Sequence, residues 1–278
     1  MKIDKIINNN LVRAFENNKE IIVMGCGLGY KKKIGEIIDE KKIEKVYAIE
    51  NKTVSDRLMT LLSDIPLEHI QTSNEIISYA KYSLGKRLNE NIYITLTDHI
   101  SFAIERANKG LEFQNALLWE IKRFYNHEFL IGKEALLIIK KRLGVELTEH
   151  EAGFIALHIV NAELGSNNMD QTLDITKLIQ NVLNIVKYHY KIDLDEYSLN
   201  YERFITHLKF FAQRIFSGKE IEVEDKNFCE MIKKQYKDTY ECTEKIRDYI
   251  QKEFDHKLTD EEMMYLTVHI RRITKPID

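Results

Sequence analysis

The sequence predicts an α+β chain of several domains, in which a small antiparallel β module precedes two tandem all-α helical bundles. Three observations carry that expectation. Apolar residues alternate or cluster in short runs over the first 55 residues, then recur at spacings of three and four from Ser55 onward; these are the periods of strand and helix. Charge changes at the same place. Residues 1–55 hold 11 Lys/Arg against 8 Asp/Glu, a net +3, so a total of −3 leaves −6 for the remainder. The helical part also contains itself twice.

The elements follow in order. Lys2-Ile3-Asp4-Lys5-Ile6 alternates polar and apolar, as a half-buried strand does. Leu11 to Phe15, Glu20 to Met24 and Lys45 to Ile49 are three more short runs with β-branched or aromatic content, and Asn8-Asn9-Asn10 and Glu16-Asn17-Asn18-Lys19 have turn composition. A four-stranded meander over residues 1–55 results. A module this small buries little surface alone and needs a partner or a second copy of itself. Asp64-Ile65-Pro66 reads as a hinge, since proline disfavours helix at the residue before it. Beyond it, two prolines and 11 glycines in 278 residues leave long helices permitted nearly everywhere.

Thr97-Asp98-His99-Ile100 through Arg106 aligns with Ile205-Thr206-His207-Leu208 through Arg214 at an offset of 108. Leu147-Thr148-Glu149-His150-Glu151 through His158-Ile159 aligns with Leu258-Thr259-Asp260-Glu261-Glu262 through His269-Ile270 at an offset of 111. Domains at 65–169 and 170–278 follow. Thr148 before Glu151, and Thr259 before Glu262, have the spacing of a capping box, so a helix starts there in each copy. It carries His158 or His269 about three turns later, beside an apolar stripe that includes Phe154, Ile155 and Ile159.

Four histidines, His99, His158, His207 and His269, are thus kept by the repeat while their neighbours vary, Ser101 against Lys209 and Ala156 against Thr267. A satisfied core histidine is the plainest reading of each. Zinc needs three or four ligands at workable spacing, and neither His-x-x-x-His nor Cys-x-x-Cys occurs. No nucleophile elbow, Walker loop or dinucleotide fingerprint is present, which argues against an enzyme and against any cofactor. Acceptance of a phosphoryl group remains open, because a neutral imidazole nitrogen is a nucleophile near pH 7. Arg106 and Arg214, two turns beyond His99 and His207, read either as partners for such charge or as solvated ends.

Gly25-Cys26-Gly27-Leu28-Gly29-Tyr30-Lys31-Lys32-Lys33 places alternating glycines before an aromatic and three lysines. The pattern suits close backbone approach and a stacked base with phosphates nearby. A glycine-rich hairpin end with a solvated lysine run reads as well. The three cysteines, Cys26, Cys229 and Cys242, have unrelated spacings, and the longest apolar run, Ala135 to Ile139, is far short of a membrane span. A soluble protein of a reducing compartment is expected.

Lys2 through Lys5, Asn8-Asn9-Asn10, Val23-Met24-Gly25, Gly27-Leu28-Gly29-Tyr30 and the histidine-bearing blocks together resemble the BglG/SacY family of transcriptional antiterminators, most nearly its β-glucoside regulators. The resemblance spans essentially the whole chain. It implies a non-enzymatic, cytoplasmic homodimer whose N-terminal RNA-binding domain clamps a hairpin in the leader mRNA and prevents terminator formation. By matching position it assigns the RNA face to Lys5, Asn10, Gly25, Cys26, Gly27 and Tyr30, with Cys26 standing where relatives carry arginine. It implies phosphorylation at His99 and His158, associated with inhibition by a sugar-specific permease of the phosphotransferase system, and at His207 and His269, associated with activation by the phosphocarrier HPr. A phosphohistidine relay protein and a phosphotransferase-regulated DNA-binding activator are the alternatives; no helix-turn-helix precedes the repeats. Asp98 before His99 and Thr206 before His207 suggest opposite responses to phosphate, since a hydroxyl can hydrogen-bond it and a carboxylate repels it.

Overall fold

The computed structural model describes residues 1–17, 19–48, 51–165, 169–217 and 226–274. The chain divides into two compact units, Met1–Met169 and Asp170–Asp278.

The first unit opens with the expected meander. Strands β1 (Ile3–Asn8), β2 (Leu11–Glu16), β3 (Lys19–Met24) and β4 (Lys45–Tyr47) pair antiparallel in sequence order. Asn18 of the second turn and Ile49 at the end of the fourth run lie outside the described residues. The β1–β2 turn is built by asparagine chemistry: Asn8 Oδ1 accepts from the Asn10 backbone N–H at 2.8 Å, an Asx turn. The outer edge of β1 is covered by the chain itself, with Ile3 donating to the Glu36 carbonyl and Gly35 to the Ile3 carbonyl.

Both faces of this sheet are buried, which simple alternation in one strand did not announce. Ile3, Val12, Ala14, Ile21 and Val23 pack with Leu28 and Ile38 of the segment between β3 and β4, which includes a short 3-10 turn at Glu40–Lys42. The opposite face, Leu11, Ile22, Met24 and Tyr47, joins the core of the helices that follow. The change of period at residue 55 is therefore a change of element, and the apolar core runs across it. A buried polar tie reinforces the join: Asn74 Nδ2 donates to the Tyr47 hydroxyl at 2.6 Å, and burial pushes that phenol well above its ordinary pKa.

The helices of the first unit are α1 (Lys52–Asp64), α2 (Leu67–Leu84), α3 (Ile92–Asn108), α4 (Leu118–Phe124), α5 (Asn126–Leu143) and α6 (Glu149–Glu163). α1 stops at Asp64 and Pro66 caps α2, a helix break at the residue before proline, with one helix already formed ahead of it. α2 and α5 end on Gly85 and Gly144, whose φ of 62° and 70° is the left-handed conformation a helix C-terminus favours. The second unit holds α7 (Met169–Tyr190), α8 (Leu199–Ser217), α9 (Lys226–Gln235), α10 (Lys237–Phe254) and α11 (Asp260–Thr274). Among the described residues, none of these helices is long and apolar enough to cross a membrane.

Candidate functional site

The N-terminal loop is fastened to the first turn of the sheet. Asn10 makes two connections, its carbonyl accepting from Gly25 N–H and its Oδ1 from Gly27 N–H, and the Asn9 carbonyl accepts from Gly29 N–H, each at 2.9 Å. The glycines have reasons of their own to be glycine. A Cβ on Gly25 would lie 1.8 Å from the Lys42 carbonyl oxygen, and Gly27 has φ +66°. The backbone that approaches Gly25 is thus the protein's own. Side chains left at the surface are Lys5, Cys26 and Tyr30, with Tyr30 56% exposed and the Lys31 ammonium 5.3 Å from its ring centre. An aromatic face with lysines around it is the composition that stacks on a base and neutralises phosphate.

The helical units each bring their two repeat histidines together. In the first, His99 on α3 and His158 on α6 have ring centres 4.8 Å apart. They line one cleft of about 750 Å³ with Arg57, Thr60, Asp98 and Phe102 among its walls. In the second, His207 on α8 and His269 on α11 are 4.0 Å apart. Residues separated by 59 and 62 positions meet because α3 packs on α6 and α8 on α11.

What holds each pair differs. His99 Nε2 lies 3.1 Å from Glu151 Oε2, at ion-pair distance although not aligned as a straight hydrogen bond. Arg106 Nη2 donates to the other carboxylate oxygen at 2.7 Å. Arg106 is only 6% exposed, and its guanidinium sits 4.5 Å from the Phe102 ring centre and 4.4 Å from that of Phe113. It is no solvated end. Burial raises the Glu151 carboxyl, but His99 and Arg106 outweigh it and hold the group below the usual carboxylate range. His158 is also lowered, which for an imidazole favours the neutral form: burial, then the neighbouring His99, pushes its pKa well down, so it is neutral at pH 7.

Glu262, the repeat equivalent of Glu151, does something else. Its Oε2 accepts from the Thr259 backbone N–H at 3.0 Å while Thr259 Oγ1 accepts from Glu262 N–H at 3.3 Å, a complete capping box. The matching box at Thr148 is not formed, and its side chain makes no cap bond, because Glu151 has turned to His99 and Arg106. His207 is held instead by Tyr265, whose hydroxyl is 2.5 Å from Nδ1. Burial and then the Arg272 guanidinium lower His207; burial, His207 and Arg272 lower His269 to about 4. The Thr206 hydroxyl donates to the Glu202 carbonyl at 3.0 Å, so its proton is committed to its own helix and is not held out for a phosphate.

Reading the sequence missed Tyr265, which occupies the position of Phe154 in the repeat, and the Phe102–Arg106–Phe113 stack. The first signal was present, since Phe against Tyr at a matched position differs by one hydroxyl. The second needed Phe113, which stands outside the aligned blocks. Among the described residues no cluster of three or more His, Cys, Asp or Glu is placed to hold a metal ion.

Comparison with known proteins gives two family matches: CAT RNA binding domain over residues 1–56, and PRD domain over residues 74–162 and 180–273. The chain is 56% identical to the transcription antiterminator LicT of Bacillus subtilis (strain 168), over 99% of both chains. It is 47% identical to the beta-glucoside operon antiterminator of Dickeya chrysanthemi, over 98% of this chain and 96% of that one. A crystal structure of GlcT CAT-PRDI is 34% identical and matches with a TM-score of 0.52, covering 58% of this chain and 97% of that one. With an asparagine-pinned loop on a four-stranded sheet, two paired-histidine bundles and these relatives along its whole length, the chain belongs to the BglG/LicT-type family of transcriptional antiterminators, RNA-binding regulators under phosphotransferase-system control and not enzymes.

Proposed function

We propose that residues 1–55 pair with a second copy of themselves and clamp a hairpin in a leader mRNA, and that residues 65–169 and 170–278 are the two regulation domains. The hairpin surface is Lys5, Asn10, Gly25, Cys26, Gly27 and Tyr30, with Asn10 shaping the loop that displays Cys26 and Tyr30. His99, His158, His207 and His269 accept phosphate, the first two from a sugar-specific permease and the last two from HPr, in the cytoplasm. The 47%-identical relative named for a beta-glucoside operon favours a β-glucoside leader as the target. The observation that supports the regulatory reading most is the pairing itself: each bundle carries its two repeat histidines into one contact, at 4.8 and 4.0 Å. Phosphate added there brings negative charge and strong acceptors to a packed helix junction, which is how such a modification biases a bistable element.

Two measurements test this. Full-length protein titrated against leader RNA is expected to bind as a dimer, to lose affinity with rising salt, and to lose more in Asn10→Ala and Tyr30→Ala. A monomer indifferent to the RNA would refute the hairpin clamp. Incubation with phosphoenolpyruvate and the phosphotransferase proteins is expected to place acid-labile, base-stable phosphate on the four repeat histidines. Label found mainly on His69, His127, His150, His189 or His256 would refute the acceptor assignment.

A further inference from the structure

The two histidine pairs hold their rings by opposite nitrogens. Glu151 stands at Nε2 of His99, whereas Tyr265 stands at Nδ1 of His207. His99 Nε2 is enclosed, while its Nδ1 is not among the buried ring nitrogens and has no hydrogen-bond partner among the described residues. In His207 the occupied atom is Nδ1, and Nε2 is the nitrogen left open.

We propose that the two units take phosphate on different ring atoms, Nδ1 of His99 and Nε2 of His207, and that Glu151 is the positioning residue that makes His99 Nδ1 the nucleophile. This deepens the acceptor reading above and rests on it. An ionised carboxylate can only accept hydrogen bonds, so the ring proton of His99 is drawn to Nε2 and the lone pair is left on Nδ1. Arg106, stacked between Phe102 and Phe113, fixes the carboxylate from its other oxygen. The arrangement is that of a histidine whose tautomer and basicity are set by a carboxylate behind it.

The transfer balances without any further reactant. The Nδ1 lone pair attacks phosphorus, and the bond from phosphorus to the donor's phosphorylated histidine or cysteine breaks. The donor residue leaves with that electron pair. The proton on Nε2 stays where it is, and the positive charge that spreads over the ring as the N–P bond forms is met by Glu151. His207 has no carboxylate in that position, because Glu262 is engaged with Thr259 in the helix cap. There Nδ1–H donates to the Tyr265 hydroxyl oxygen, which leaves the lone pair on Nε2, and the bond forms at Nε2. His158 is the poorer acceptor of the first pair, since its Nδ1 is buried without a partner and, among the described residues, no carboxylate orients the ring.

The experiment uses the full chain labelled with phosphoenolpyruvate, the general phosphotransferase proteins and permease-bearing membranes. Labelled peptides are mapped at alkaline pH, and the ring position is assigned with isomer-selective phosphohistidine antibodies and by phosphorus–proton couplings. His99 is expected to carry the Nδ1 isomer and His207 the Nε2 isomer. Glu151→Gln is expected to slow labelling of His99 by roughly ten- to a hundredfold and to mix the isomers, because the amide can donate as well as accept. Glu151→Asp, which keeps an acceptor-only group, is expected to recover part of the rate with the Nδ1 isomer retained; a merely structural loss would not move the isomer ratio. Phosphate on Nε2 of His99, or a Glu151→Gln protein with unchanged rate and isomer, would overturn the inference while leaving the acceptor reading intact. No phosphate on His99 in any arm would overturn both. The isomer assignment on the unaltered chain requires no variant, so an unstable substitution does not remove the test.

Discussion

The two helical units carry the same pair of imidazoles in different electrostatic company. In the first, a buried carboxylate locked by a stacked arginine stands behind His99. In the second, a phenol touches His207, and the Arg272 guanidinium is close enough to lower both ring pKa values. The repeat keeps the histidine, its helix and the glutamate, and the units differ in where that glutamate turns and in Tyr265 standing where the first unit has Phe154. A carboxylate behind an imidazole strengthens it as a nucleophile, whereas a guanidinium near it favours added negative charge. If phosphate is added to these rings as proposed, its effect in each unit is set by what the new charge meets.

The sharpest way to break the comparison is at Arg106. Arg106→Ala strands the Glu151 carboxylate in the core, and a buried pair broken from one side costs about 3–5 kcal/mol. Calorimetry is expected to show the first unit's transition moving down while the second unit's stays in place; equal movement of both, or of neither, would remove the asymmetry between the units.

Acid probes both units through their inner histidines. The folded pKa of His269 is depressed to about 4, and that of His158 is well below its ordinary value. The unfolded chain therefore takes up protons that the folded one refuses. Stability is full above the unfolded pKa near 6.5 and falls as pH drops from there toward the folded values. Melting temperatures between pH 7 and pH 5 should decline, and His269→Gln should flatten the slope for the second unit alone. A wild-type slope retained in that variant would count against His269 as its source.

Smaller effects separate the units further. Tyr265→Phe removes the hydroxyl from His207, a loss of about 0.5–1.5 kcal/mol in the second unit, and opens Nδ1 to solvent. Thr259→Ala breaks a formed capping box and is expected to cost about 1 kcal/mol. Thr148→Ala is expected to stay within about 0.5 kcal/mol, because its hydroxyl caps nothing in the first unit. Equal losses at the two threonines in denaturant unfolding would mean that Glu151 caps its helix as Glu262 does.

Much of the fold was legible because it rests on local periodicity. The four strand runs lie in the order the structure shows, apart from Ile49 outside the described residues, and the helix breaks at Asp64-Ile65-Pro66 where proline requires it. The four histidines were legible for another reason: a repeat aligned with itself marks what it keeps, and packing of α3 on α6 and of α8 on α11 then brings the kept residues into pairs.

The sequence by itself determined the element order, the doubled helical unit and the identity of the four imidazoles, since each is written in spacing along one dimension. Only the tertiary structure decided what surrounds them. Thr-x-x-Glu is a capping box by spacing in both copies, yet a carboxylate goes where the summed field is strongest. Beside Arg106 and His99 that place is the core, and in the second copy it is the helix end. Arg106 likewise became a buried anchor only because Phe102 and Phe113 close over it from two different segments. Gly25 of the N-terminal loop, read from the sequence as room for close backbone approach, is met by the Lys42 carbonyl of the same chain, a contact made across 17 residues. Side-chain choices of this kind depend on neighbours that are distant in sequence, and one-dimensional spacing carries no information about which neighbour arrives.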